Sequence, residues 1–423
     1  MSTTSTTSRI AISGAGLGGL VCARVLQQHG VPVTVFERES DPRSRSQGGT
    51  LDIHEDTGQV ALRAAGLFDR FLALSRPESQ EWRLYDRHAT LIRHDQAGED
   101  DLSRPEIDRG RLRSLLLDSL IPGTVRWDHP VRAVTPLPDG TVRLHHRSPT
   151  AEGFDDFDDF DLVIGADGAW SRVRPALSGA QPSYAGVTMV ETHFNDVDHR
   201  HPRIAGLVGR GTMAAKAGRR SLVLQRNSDG HVRAYITFRG PQDWHAGLDL
   251  ADTEAVRARL LAQYQGWHES LLDILRDNEG GFTDRPMFVL PVPHSWQRVP
   301  GITLLGDAAH LMPPAGVGAN LALLDGAELA QAVIGHPTID QALDAYESTM
   351  LPRAIDNAKT AQQMLTTLLP DTDTDDAAFP DTLWPADTLP DPHPAHPSGQ
   401  ERDGTGRQPR GGPHADSRRR HAR

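Results

Sequence analysis

The glycine turn Gly14-Ala15-Gly16-Leu17-Gly18-Gly19 constrains this chain more than any other segment, because of what flanks it. Before it, Arg9 to Ser13 is a short, mostly apolar, β-branched run with the character of a buried parallel strand. After it, Leu20 to His29 carries apolar residues at helical spacing. The arrangement is strand, tight turn, helix. Gly14 makes the turn, Gly16 lets the backbone approach a pyrophosphate, and Gly19 lets the helix pack close to the strand. A second strand, Val31 to Glu37, ends in an acid at the fingerprint spacing, where Glu37 accepts ribose hydroxyls. Arg38, the next residue, is included among the candidate nucleotide contacts. The pattern predicts a Rossmann-like dinucleotide site with its phosphates at the helix N-terminus, where free N–H groups and the dipole meet their charge.

A distant segment narrows the choice of dinucleotide. The apolar run Ile302 to Leu305 leads into Gly306-Asp307-Ala308-Ala309-His310, then Pro313, Pro314, Gly316, Gly318 and Asn320, then an apolar helical stretch from Leu321 to Val333. Here the chain resembles the class A flavoprotein aromatic hydroxylases, single-component FAD monooxygenases of the 4-hydroxybenzoate hydroxylase type. The resemblance implies that Asp307 bonds the ribitol of FAD. It also implies that the helix entered through Gly318 and Asn320 points its N-terminus at the pyrimidine edge of the flavin. A third segment, Asp161 to Arg174, supplies the matching Asp167, Gly168, Ser171 and Arg174. In the family it lies near the FAD pyrophosphate and the route of NAD(P)H.

Two further strings, Gly48-Gly49-Thr50-Leu51-Asp52-Ile53-His54 and Pro105-Glu106-Ile107-Asp108-Arg109 with Leu112 and Leu116, resemble the TetX type of tetracycline-inactivating monooxygenase. The similarity extends from about Arg9 to about Ala361 and implies that Asp52 and Arg109 contact FAD, Arg109 through bidentate donors. Arg45 matches an arginine assigned to NADPH in those enzymes, and reads equally well as a solvated arginine in a basic turn with Arg43. Between His310 and Gly316 this chain is one residue shorter, so Pro313 and Pro314 compete for the family proline. Glu191 is either a substrate-facing residue or a strand glutamate on a solvated face, the commoner case.

Composition narrows the classes. The chain has 423 residues and a formal charge of −12, which argues against a generic nucleic-acid binder. No apolar run approaches a membrane span, and the polar start lacks a signal core, so the expectation is a cytoplasmic enzyme. Cys22 stands alone, without a disulfide or redox partner. The acidic run Asp155 to Asp161 reads as a solvated hairpin, because it lacks turn glycines for a hard cation. His145-His146 alternates like a strand surface, and the histidines form no recognised metal spacing. No GxSxG supports hydrolysis.

The expected fold is α/β (α+β). A discontinuous FAD-binding domain takes residues 8–77, 100–178 and 285–335, and a substrate-binding β-sheet domain takes 78–99 and 179–284. A C-terminal bracing helix occupies 336–369, kinked or broken before Pro352, and residues 371–423 form a disordered tail. The resemblance implies that NADPH reduces FAD and that one atom of O2 reaches a phenolic or polycyclic substrate through a flavin hydroperoxide. A tetracycline is the specific expectation and a polyketide-tailoring hydroxylation the alternative. A flavin oxidase or dehydrogenase and a non-catalytic flavin-binding module on the same scaffold are the remaining rivals. A single complete GxGxxG fits a nicotinamide that visits transiently. The resemblance also suggests a monomer, with no catalytic side chain and no metal required.

Overall fold

A computed structural model describes residues 8–44, 48–96, 98, 101–147 and 156–372, all within one compact unit, Met1–Pro390. Arg45 and the tail beyond 372 lie outside the described residues.

Five parallel strands form one layer, in the order Ile302–Leu304, Leu162–Gly165, Ile10–Ser13, Val33–Phe36 and Val125–Arg126. The central strand Ile10–Ser13 is buried throughout, as a parallel strand covered on both faces must be. Helices Leu17–Gln28 and Gly318–Gly335 cross against each other at two glycines. A Cβ on Gly18 would come 2.4 Å from the Ala322 carbonyl oxygen, and one on Gly326 would come 2.2 Å from the Gly18 oxygen. The backbones themselves touch there, so neither position accepts a side chain without separating the helices.

The second layer is a seven-stranded sheet in the order Glu279–Val289, Ser183–Phe194, Val232–Arg239, Arg220–Arg226, Thr212–Ala217, Trp82–Tyr85 and Leu91–Asp95. Its pairs are antiparallel except Thr212–Ala217 with Trp82–Tyr85. Alternation gives it two faces. Met213, Ala215, Leu222, Leu224, Ala234 and Ile236 pack into a core of their own with Leu260 and Leu271, from helices Thr253–Gln263 and Glu269–Arg276. Their sequence neighbours line the opposite face. The strands at 82–85 and 91–95 join this sheet, and Glu279–Val289 runs across the expected boundary at Asp284. We keep the division into cofactor and substrate domains as a proposal.

Two local expectations are corrected. Helix Ile339–Leu368 runs unbroken through Pro352, so of the two expected alternatives, kink or break, the break is absent. The proline removes one N–H, but burial of Tyr346, Met350 and Ala354 and the anchoring of Arg353 hold the helix on both sides. His146 is not a surface residue: it is 4% exposed, with its ring 5.0 Å from that of Phe36. Asp156–Phe160 pairs with Val142–His146, and its acids meet Arg126 and Arg143. Cys22 is buried, which pushes its thiol up to about 12.

Candidate active site

The glycine turn folds as its spacing requires. Gly14 has φ +105°, and a Cβ there would meet the Ala166 oxygen at 2.4 Å. Gly19 is as tight, 2.4 Å from the Gly14 oxygen and 3.2 Å from Ile12 Cγ2. At Gly16, by contrast, the nearest atom to such a Cβ is 3.9 Å away, so the backbone faces open space. Helix Leu17–Gln28 begins there with no side-chain cap and no acid in its first turn. Its N-terminal N–H groups and the positive end of its dipole therefore suit an anion.

Glu37 is buried at the end of its strand; its Oε2 accepts the Ala15 N–H at 2.7 Å and its Oε1 the Glu39 N–H at 3.0 Å. The carboxylate is thus held against the turn. Arg38 beside it is exposed. Arg113, which sequence reading missed, is 4% exposed and donates to the Ala15 carbonyl (3.0 Å), the Pro42 carbonyl (3.1 Å) and Glu39 (2.9 Å). It stands four residues after Arg109, on the same helix face, and that spacing was the available signal.

Asp167 lies under the same turn. Its Oδ2 accepts the Arg172 N–H at 2.8 Å and the Ser13 hydroxyl at 3.3 Å, while Oδ1 is buried with no protein partner. Burial raises this carboxyl above the usual carboxylate range, against those hydrogen bonds. An orphaned buried acceptor, an uncapped helix end and an open glycine backbone make a donor and acceptor set that fits a nucleotide with a pyrophosphate.

Asp307 opens the short helix Asp307–His310 and is exposed, following Gly306 at φ +58°. Beneath it is a buried network that sequence reading also missed. Asp325, 1% exposed, accepts the Gly306 N–H (3.0 Å), His310 Nε2 (2.6 Å) and Arg353 (3.0 Å). Burial opposes charge on both His310 and Asp325, yet their mutual attraction raises the imidazole and lowers the carboxyl. Ser171 Oγ accepts the Val173 and Arg174 N–H groups, and Arg174 donates to the carbonyls of Ala308, Ala169 and Ala180. Those two residues tie the Asp167 turn to the Asp307 helix.

Asp52, Asn320 and Gly318 come together on the other side. Asn320, 1% exposed, donates to the Asp52 carbonyl at 2.8 Å and accepts the His54 N–H at 2.9 Å. Its amide clips the Asp52–His54 segment to the first turn of helix Gly318–Gly335. Gly318 is the first residue of an 18-residue helix with no side-chain cap, and a Cβ there would meet nothing within 4 Å. Arg109 starts its helix, with its N–H donated to the Gly49 carbonyl at 3.0 Å.

A cavity of about 800 Å³ opens beside Asp52 and Pro314–Gly316. Its floor is the outer face of the seven-stranded sheet, Thr212, Ala214, Lys216, Val223, Gln225 and Tyr235, at alternating positions. Its far wall is the last turns of the long helix, Met364, Leu365 and Leu368. The final carbonyls of that helix are taken by cations from the sheet, Thr367 by Lys216 Nζ (3.2 Å) and Leu369 by Arg239 Nε (2.8 Å). Pro314 lines the cavity while Pro313 is buried. Glu191 does not line it. It is paired with Arg233 and, at 3.2 Å, with Arg285, and its side chain is 15% exposed, so the solvated-face reading fails as well.

Among the described residues no helix is long and apolar enough to cross a membrane. Residues 7–361 match the FAD binding domain family. Monooxygenase penA of Penicillium thymicola is 30% identical over 406 residues, covering 82% of this chain and 92% of that one. Monooxygenase asqM of Emericella nidulans is 29% identical over 420 residues, with the same coverage. Among solved structures, Klebsiella pneumoniae HpxO complexed with FAD and uric acid superposes with a TM-score of 0.72 at 20% identity, covering 86% of this chain and 89% of that one. Tetracycline destructase Tet(51) superposes at 0.63 and 19% identity, covering 86% and 92%; these two likenesses speak to fold. With the nucleotide cradle, the adjoining cavity and the family match in agreement, the chain belongs to the FAD binding domain family of class A flavin monooxygenases and is a flavin-dependent monooxygenase.

Proposed function

We propose that this enzyme consumes NADPH and inserts one atom of O2 into a polycyclic or phenolic substrate, with a tetracycline-type molecule as the specific candidate. One observation carries the reading: a cavity with a mostly apolar lining joins Asp52 and Pro314–Gly316 to a broad sheet face, with room for several fused rings. Relatives named for 3-amino-4-hydroxybenzoate and 6-hydroxynicotinate support an aromatic ring more generally, and keep aromatic hydroxylation outside antibiotic chemistry as the second reading.

The chain's own contribution is binding, orientation and exclusion of water. Gly14, Gly16 and Gly19 shape the seat for the FAD pyrophosphate, Glu37 receives ribose hydroxyls, and Arg38, Arg109, Asp167 and Asp307 complete the contacts. Asp52, Gly318 and Asn320 hold the loops at the ring end. Bound there, FAD supplies the hydride acceptance and oxygen transfer that no side chain provides. Met189, Met287, Met364 and Leu365 keep the cavity dry around the reacting carbon.

The test is to purify the full chain with FAD and follow NADPH oxidation and O2 uptake with and without tetracycline, weighing the product. Tetracycline-dependent consumption with a gain of one oxygen atom is expected. Slow, substrate-independent oxidation alone would remove tetracycline and leave the aromatic reading.

A further inference from the structure

The short strands Thr50–Asp52 and Glu106–Asp108 pair so that Asp52 stands directly opposite Glu106. Opposed residues of an antiparallel ribbon point to the same face, and both side chains line the cavity at its Pro314–Gly316 end. Two carboxyls therefore share one wall. They are held differently. Asp52 is bonded to His54 Nε2 at 2.9 Å, whereas the Glu106 carboxyl, 8% exposed, accepts the Thr50 hydroxyl. That hydroxyl also accepts Arg76 at 3.1 Å.

The charged groups around Glu106 are few. Asp52 faces it across the ribbon, and Arg76 and Arg104 approach from their own segments. Asp108 stands behind Arg76 and His54 behind Asp52, and Glu81, Arg93 and Lys216 lie elsewhere on the cavity wall. Burial and then the Asp52 charge outweigh Thr50 and the two guanidiniums, pushing the Glu106 carboxyl up to about 8.

We propose that Glu106 is the specificity-determining acid of the cavity: as a neutral carboxyl it donates a hydrogen bond to a ring carbonyl oxygen of the substrate. With Asp52 beside it, this end selects uncharged, carbonyl-bearing polycycles over aromatic carboxylates. An incoming carboxylate would meet one fixed negative charge and force a second group to stay protonated, whereas a ketone needs only the donor. The inference rests on the reading of this cavity as the substrate site.

The test uses the FAD-loaded enzyme and three tricyclic probes that do not titrate near neutrality: 9-fluorenone, fluorene and fluorene-2-carboxylate. Binding is read from the perturbed flavin absorbance between about pH 6.5 and about pH 9.5, across the range where the Glu106 carboxyl ionises. Fluorenone binding is expected to weaken about tenfold as Glu106 ionises, the worth of one hydrogen bond. Fluorene should show no such dependence, and the carboxylate should bind more weakly than the ketone throughout. Glu106→Gln keeps an N–H donor, so fluorenone binding should persist and lose its pH dependence; Glu106→Leu should be weak and flat. Infrared pH-difference spectra of the wild-type enzyme should lose a protonated-carboxyl band over the same range, a readout independent of how the variants fold.

An unchanged fluorenone pH profile in Glu106→Gln, or tighter binding of the carboxylate than of the ketone, overturns the assignment. If no probe perturbs the flavin in any variant, the substrate-site reading falls with it. If fluorene binds and fluorenone gains nothing over it, only the role of Glu106 falls.

Discussion

The glycine turn and the sheet-lined cavity are built by opposite means. At Gly14, Gly18 and Gly19 backbone touches backbone, with hypothetical Cβ atoms 2.4 Å from carbonyl oxygens, so residue identity is dictated by lack of space. The cavity draws its walls from strands 82–85, 212–217, 220–226 and 232–239 and from a helix more than a hundred residues downstream, and its lining side chains face open space. One region is specified by what cannot fit, the other by what happens to converge. The first must resist substitution and the second must respond to it by degrees.

The sharpest test of that contrast is Gly14→Val. A branched side chain at φ +105° against the Ala166 oxygen should abolish flavin retention, with at least a tenfold fall in flavin absorbance per protein after reconstitution. Retention of FAD would mean that the turn is slack. Arg353→Met attacks the same region through its support. It leaves Asp325, 1% exposed, with one cation fewer, and urea unfolding should show a loss of about 3–5 kcal/mol.

Substitutions in the cavity should act on turnover instead. Ala214→Phe places a ring on the cavity floor and should raise KM for a polycyclic substrate by about ten- to a hundredfold, with the flavin spectrum and stability near wild type. A matching loss of FAD would break the separation of the two regions. The smallest effect concerns pH. Because the folded Glu106 carboxyl is raised from 4.5 to about 8, its stabilising proton is fully bound below 4.5 and is lost as pH rises through about 8. Stability should decline across that window by at most about 1.4 kcal/mol per pH unit, and Glu106→Gln should remove this slope from a series of thermal unfolding curves.

The same contrast decides what could be read from the chain. The parallel sheet, the turn and the acid at Glu37 were legible because local spacing and local sterics coincide there. The convergence of Asp52 with Asn320 was not, since it depends on an amide that joins a strand to a helix 268 residues away. Glu191 misled because a lone strand glutamate says nothing of Arg233 and Arg285 on the neighbouring strands. The break expected at Pro352 is absent because a proline's local cost is visible in sequence, whereas the packing that absorbs it is not. Arg113, Asp325 and Glu106 are ordinary charged residues until the fold removes water from around them.

The long helix Ile339–Leu368 gives this division a mechanical form. Its middle is fastened to the cofactor layer by Tyr346, whose hydroxyl donates to the Leu304 carbonyl at 3.0 Å, and by Arg353, while its last turns wall the cavity. On the proposed substrate reading, one end of this rod can carry new residues facing the cavity while its middle stays bolted in place. Loosening the two cationic clasps, Lys216 and Arg239, would turn that wall into a door.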